Sequence, residues 1–144
     1  MHRLQSLLAS AWAGLLITAG AVSAPSLFAV LDRNLAGMAA GRIFMVEAYI
    51  SVVVAMVMFL LERYRLRNQA PTPGNSVMST ELLLVMGALF TTVLGHFALR
   101  PMLEAAKAGQ GAWSFGALHA TSSSLFLLKG LLVLALAWRL TGRR

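Results

Sequence analysis

The chain has no cysteine in its 144 residues and only five acidic side chains. Without cysteine there is no disulfide framework, no thiolate metal centre and no thiol nucleophile. Charge of either sign is scarce: 12% of residues carry it, against about a quarter in an ordinary soluble domain. Disorder needs low hydrophobicity and high charge, and this chain has the reverse. Also missing are the alternating pattern of a barrel strand and the Gly-x-Ser-x-Gly turn of a hydrolase. The run Ser122-Ser123-Ser124 therefore reads as hydroxyls that hydrogen-bond within or between helices, and no enzymatic activity is expected.

What is abundant is apolar sequence: 58% of residues, with a mean hydropathy of +0.75. A helix needs about 20 mainly apolar residues to cross a hydrocarbon core of about 30 Å. Four stretches meet or approach that: Leu4–Leu31, Ile43–Leu61, Leu82–Leu99 and Phe115–Trp138. The expected fold is all-α, a single transmembrane domain over residues 1–144 built as a four-helix bundle. The basic start and the small residues Val22-Ser23-Ala24 resemble a signal peptide, but the apolar run continues to Leu31 and Pro25 would follow the cut. The first span is expected to stay, bent or tilted at Pro25. Asp32–Arg42, Glu62–Thr80 and Arg100–Ser114 are the expected connections, with Pro71–Asn75 as a solvated loop and Pro101 ending a helix.

The net charge of +7 and pI near 11.4 would suit nucleic acid in a soluble protein. Here the basic residues flank apolar runs, so the lipid bilayer is the expected partner and nucleic acid is not. With four spans both termini and the middle connection share a side. That side carries Arg3, Arg63, Arg65, Arg67, Arg139, Arg143 and Arg144, seven basic side chains against Arg33, Arg42, Arg100 and Lys107 on the other. The bias places the termini in the cytoplasm of a multi-pass inner-membrane protein. Arg33, Arg42 and Arg100 oppose it, with Asp32 and Glu104 as local partners.

Small residues recur at helical spacing: Gly87, Thr91 and Gly95; Ala9 and Ala13; Ala19 and Ser23; Gly37 and Gly41. They suit close helix packing within one chain or in a homo-oligomer. Ionisable groups inside spans are costly, so each is a candidate site residue. They are Glu47, His96, His119 and Lys129. Counted at 1.5 Å per residue from the span ends, the first three lie about 5–7 Å deep at one level, near Arg42 and Arg100. Two imidazoles and a carboxylate suit a metal ion, with Met38, Met45 and Met102 as soft ligands nearby, and two histidines on facing helices could hold a haem. A proton or ion relay and plain structural hydrogen bonding are the other readings. Lys129 lies deeper, and its depth differs from that of Glu47 by about 6–14 Å on these boundaries, so a Glu47–Lys129 pair is reachable only at the lower figure.

Three segments carry a resemblance. They are Pro25-Ser26-Leu27-Phe28 through Leu31-Asp32-Arg33-Asn34-Leu35-Ala36-Gly37 and Gly41-Arg42-Ile43-Phe44; His96 with Arg100-Pro101; and Phe115-Gly116-Ala117-Leu118-His119 with Ser122. Together they resemble the four-helix membrane family that groups bacterial "domain of unknown function 4149" proteins with eukaryotic transmembrane protein 205. The resemblance implies four membrane helices, no settled activity in bacteria and metal export in the eukaryotic relative. Thiolate-based export cannot be carried over to a chain without cysteine. The functional expectation is a small membrane protein that binds or moves a small solute, ion or metal at Glu47, His96, His119, Arg42, Arg100 and Lys129. A non-catalytic assembly or accessory protein and a haem-binding redox protein are the alternatives.

Overall fold

A computed structural model describes residues 1–68 and 78–142. Among these, four helices are long and apolar enough to cross a membrane: α1 (His2–Val30), α2 (Arg33–Arg67), α3 (Thr80–Lys107) and α4 (Phe115–Thr141). No strand occurs among the described residues. The expected spans all lie within these helices save Leu31, but the helices are longer.

The differences have local causes. The Asp32–Arg42 connection is not a loop. The chain turns at Leu31 and Asp32 alone, and the Asp32 carboxylate accepts from the amides of Asn34 and Leu35, each at 3.1 Å. That satisfies two of the orphan donors of a new helix and starts α2 at Arg33, ten residues before the apolar run. Glu62–Arg67 is likewise helical and belongs to α2. The expected loop Pro71–Asn75 lies outside the described residues. Pro101 does not end a helix: α3 runs through it to Lys107.

Both mid-helix prolines are accommodated the same way. A proline ring strikes the carbonyl four residues earlier and offers it no N–H. For Pro25 that carbonyl is on Ala21, and for Pro101 it is on Phe97. Each lies in a widened, π-helical turn, Thr18–Ser23 and Val93–Ala98 respectively. Such a turn relieves the clash and keeps α1 and α3 continuous.

The four helices form a ring in which α1 packs on α2, α2 on α3, α3 on α4 and α4 back on α1. Helices α2 and α4 face each other across the diagonal. The packing is uneven along the bundle. Ala9, Trp12, Ala13 and Leu16 of α1 join Ala55 and Met58 of α2, Val85 and Ala88 of α3, and Val133, Leu136, Ala137 and Leu140 of α4 in one core. Every one of these lies in the half that carries the chain termini. Toward the Asp32 turn, α1 beyond Ala24 and α3 from Val93 to Lys107 bury no residue. There the backbone of α1 stays close to α2, and that of α3 to α4, while the two hairpins meet through side chains such as Phe44 and Phe126 with little close backbone approach. The bundle is thus closed at the terminal end and splayed at the Asp32 end. The outer surface is apolar, with Leu7, Val53, Leu60, Phe90, Leu127 and Trp138 all more than half exposed.

Candidate functional site

The splay begins at a buried charge pair. The Lys129 ammonium of α4 donates to both oxygens of the Glu47 carboxylate of α2, each at 2.8 Å. Glu47 and Lys129 are each 3% exposed. The register explains the meeting. Glu47 is fourteen residues into α2 counted from Arg33, and Lys129 fourteen into α4 counted from Phe115, so the backbones are level at about 21 Å. The depth mismatch expected from the apolar boundaries came from starting the second span at Ile43, ten residues late.

A chain of donors continues from the pair. Ser51, one turn beyond Glu47, donates its hydroxyl to the same carboxylate. Trp12 of α1 donates its indole N–H to the Ser51 oxygen at 2.8 Å. The Lys129 ammonium also lies 4.9 Å from the centre of the Phe126 ring. Phe126 in turn stands edge-on to Phe44 at 5.0 Å and seats against Gly20, where an added Cβ would meet the ring at 2.7 Å. Three helices therefore supply the polar network, and two aromatic rings, Phe44 and Phe126, cap it on the splayed side.

The other expected site residues do not complete it. His96 sits half-buried in the π-helical turn of α3, its ring edge-on to Phe97 at 5.1 Å, and Phe97 meets Tyr49 of α2 at 5.4 Å. His119 is exposed and stacks on Phe115 at 5.7 Å. Arg42 is exposed and Arg100 half-buried; neither has an ion-pair partner among the described residues. Asp32 is spent on the α2 cap and Glu104 on Lys107 at 3.7 Å, so they do not neutralise the arginines. Among the described residues no three His, Asp or Glu side chains gather closely enough to hold a metal ion, so Glu47, His96 and His119 do not form such a group. Met38 is 71% exposed and Met102 38%.

A second network at the terminal end was not expected. Glu62 of α2 is 1% exposed and accepts from Gln5 of α1 at 3.0 Å, from Arg65 Nε at 2.9 Å and from Ser79 at 2.6 Å. Ser79 also caps α3, accepting from the Leu82 amide at 3.1 Å. Beside it Arg139 of α4 donates to Glu81 of α3 at 2.9 Å. The signal was present in the scarcity of acid: each of the five acidic residues has a structural partner, and Glu62 and Glu81 lie one residue outside the apolar runs. Trp12 lies within the Ala9/Ala13 stripe, where the sequence reads as packing alone.

Polar groups join the α1–α2 hairpin to the α3–α4 hairpin at two levels among the described residues: Glu62 with Ser79, and the attraction of Arg65 to Glu81, at the closed end, and Glu47 with Lys129 at the mouth of the splay. Breaking a buried pair by removing one partner costs about 3–5 kcal/mol, so the Glu47–Lys129 pair penalises any arrangement that leaves either charge buried alone.

Residues 7–112 match the family model described as "Domain of unknown function (DUF4149)". The match takes in nearly all of α1 and the whole of α2 and α3, and stops before α4, so Lys129 and the segment Phe115–Ser122 lie beyond it. No curated protein and no solved structure matches the chain. With nearly three quarters of its length under the family model and four helices able to span a membrane, the chain belongs to the DUF4149 family.

Proposed function

We propose that this protein is a non-enzymatic, multi-pass inner-membrane protein that binds a small charged solute or ion between its two hairpins. The carrying observation is that the bundle is splayed on one side of Glu47–Lys129 and close-packed on the other. The pair lies just beneath the Phe44 and Phe126 rings at the bottom of the splayed half. Its two opposite charges offer an entering ion a partner of either sign, and Arg42, His96 and Arg100 border the approach. The positive-residue bias argues for cytoplasmic termini, with the splayed end facing outward. Four helices are few for a transport path, which favours a homo-oligomer in the bilayer.

The resemblance to transmembrane protein 205 suggests metal handling. The absence of thiolates, and the failure of Glu47, His96 and His119 to form a ligand group, favour a harder ion or small polar solute instead. The accessory reading keeps one specific support: the carboxylates of Glu47 and Glu62 are both met by the protein's own side chains.

Trp12 reports on the pair through Ser51. In a variant with W113F and W138F, whose indoles are 63% and 81% exposed, Trp12 is the single emitter. Sodium, potassium and zinc chloride and sodium phosphate are titrated into this protein in nanodiscs. A saturable shift in Trp12 emission that is lost in E47Q supports solute binding. Flat traces for all four salts favour the accessory reading.

A further inference from the structure

Three arginines alternate near the end of α2, and they do different things. Arg65 turns inward to Glu62. Arg63 and Arg67 turn away, and neither has an ion-pair partner among the described residues. With Leu60 and Tyr64 they occupy positions i, i+3, i+4 and i+7, one face of the helix. That face lines an open surface concavity of about 420 Å³, completed by Asn68. Below it the same side of α2 continues as an apolar strip, with Val53 62%, Val57 39% and Leu60 58% exposed. Tyr64, 57% exposed, marks the level at which the strip gives way to charge.

We propose that this concavity is a binding site for one anionic phospholipid. The two guanidinium groups hold the headgroup phosphate, Tyr64 lies beside the glycerol region, and an acyl chain runs along Leu60, Val57 and Val53. Charge complementarity selects the occupant. Two uncompensated cations stand where an apolar helix face ends, and only a ligand with an anionic head and an apolar tail matches both parts. Arginine suits the role because its planar fork binds a phosphate through two parallel hydrogen bonds, which a lysine cannot do. The site is independent of the inter-hairpin cleft and of anything bound there.

The test uses the full chain in phosphatidylcholine nanodiscs titrated with phosphatidylglycerol, with retained lipid counted by native mass spectrometry. One phosphatidylglycerol is retained per chain. R63Q/R67Q weakens retention about thirtyfold, the effect of two basic contacts near the surface. R63K/R67K, which keeps the charge, still weakens it severalfold, whereas R3Q/R33Q removes as much charge elsewhere and leaves it unchanged. Equal losses in R63Q/R67Q and R3Q/R33Q would mean diffuse attraction and overturn the site. Wild-type retention by R63K/R67K would do the same, as would displacement of the lipid by millimolar glycerol phosphate, which would mark a free-phosphate site. Matching circular dichroism of all variants separates these outcomes from misfolding.

Discussion

Replacing Lys129 by Met leaves the Glu47 carboxylate buried with only the Ser51 hydroxyl as a donor. A deeply buried, unpaired carboxylate is worth about 3–5 kcal/mol of lost stability. Replacing Glu47 by Leu strands the ammonium instead, at a similar cost. Together, E47L/K129M removes both charges and fills the space with apolar volume; Ser51 keeps the Trp12 donor and can turn its own hydroxyl to the carbonyl one turn back. The double variant should fall within about 1 kcal/mol of the unchanged protein, or exceed it. Reversible unfolding in mixed micelles, read by circular dichroism, measures all four corners of the cycle. Additive losses in the double variant would refute the pairing.

Two further outcomes follow from the packing. Gly20→Ala places a Cβ 2.7 Å from a Phe126 ring held between Phe44 and Lys129, so it should cost about 1–3 kcal/mol, and Phe126→Leu in the same chain should recover most of it. At the terminal end, Glu62→Ala strips the acceptor from Gln5, Arg65 and Ser79 at once and should cost about 3 kcal/mol, whereas Lys107→Met, whose pair with Glu104 is more than half exposed on both sides, should change stability by less than about 1 kcal/mol in the same unfolding assay.

The helices were legible because hydrocarbon leaves no other way to satisfy the backbone, and apolar length alone then marks them. Their ends were not, because α2 and α3 extend past the apolar runs on amphipathic and charged turns that composition reads as loop. That single error displaced Glu47. A depth of about 7 Å from an apolar boundary suggests a surface site with His96 and His119; about 21 Å from the true helix start puts it opposite Lys129. Pro101 misled for a related reason, since a proline ends a helix only where no widened turn can absorb it. The small-residue stripe of α3 is a packing face, as its spacing implies: Gly87 meets Leu132 and Gly95 meets Leu125 of α4. The Glu62 network was hidden because a carboxylate outside an apolar run looks solvated unless the partner helix, here the Gln5 face of α1, is already placed.

The positions of the prolines and of the charges belong to one design. Pro25 and Pro101 sit on α1 and α3, diagonal helices, each with a π-helical turn, and both lie on the Asp32 side of the Glu47–Lys129 level. The other diagonal, α2 and α4, is α-helical throughout and carries the pair. At the terminal end a twelve-residue apolar core and the Glu62 network hold the hairpins together. Any separation of the hairpins must therefore start at the splayed end, where the hairpins are less closely packed, and proceed until it meets the ion pair. Beyond that point it would have to expose the core. Glu47 and Lys129 thus stand at the level where the close-packed half ends and the looser half begins.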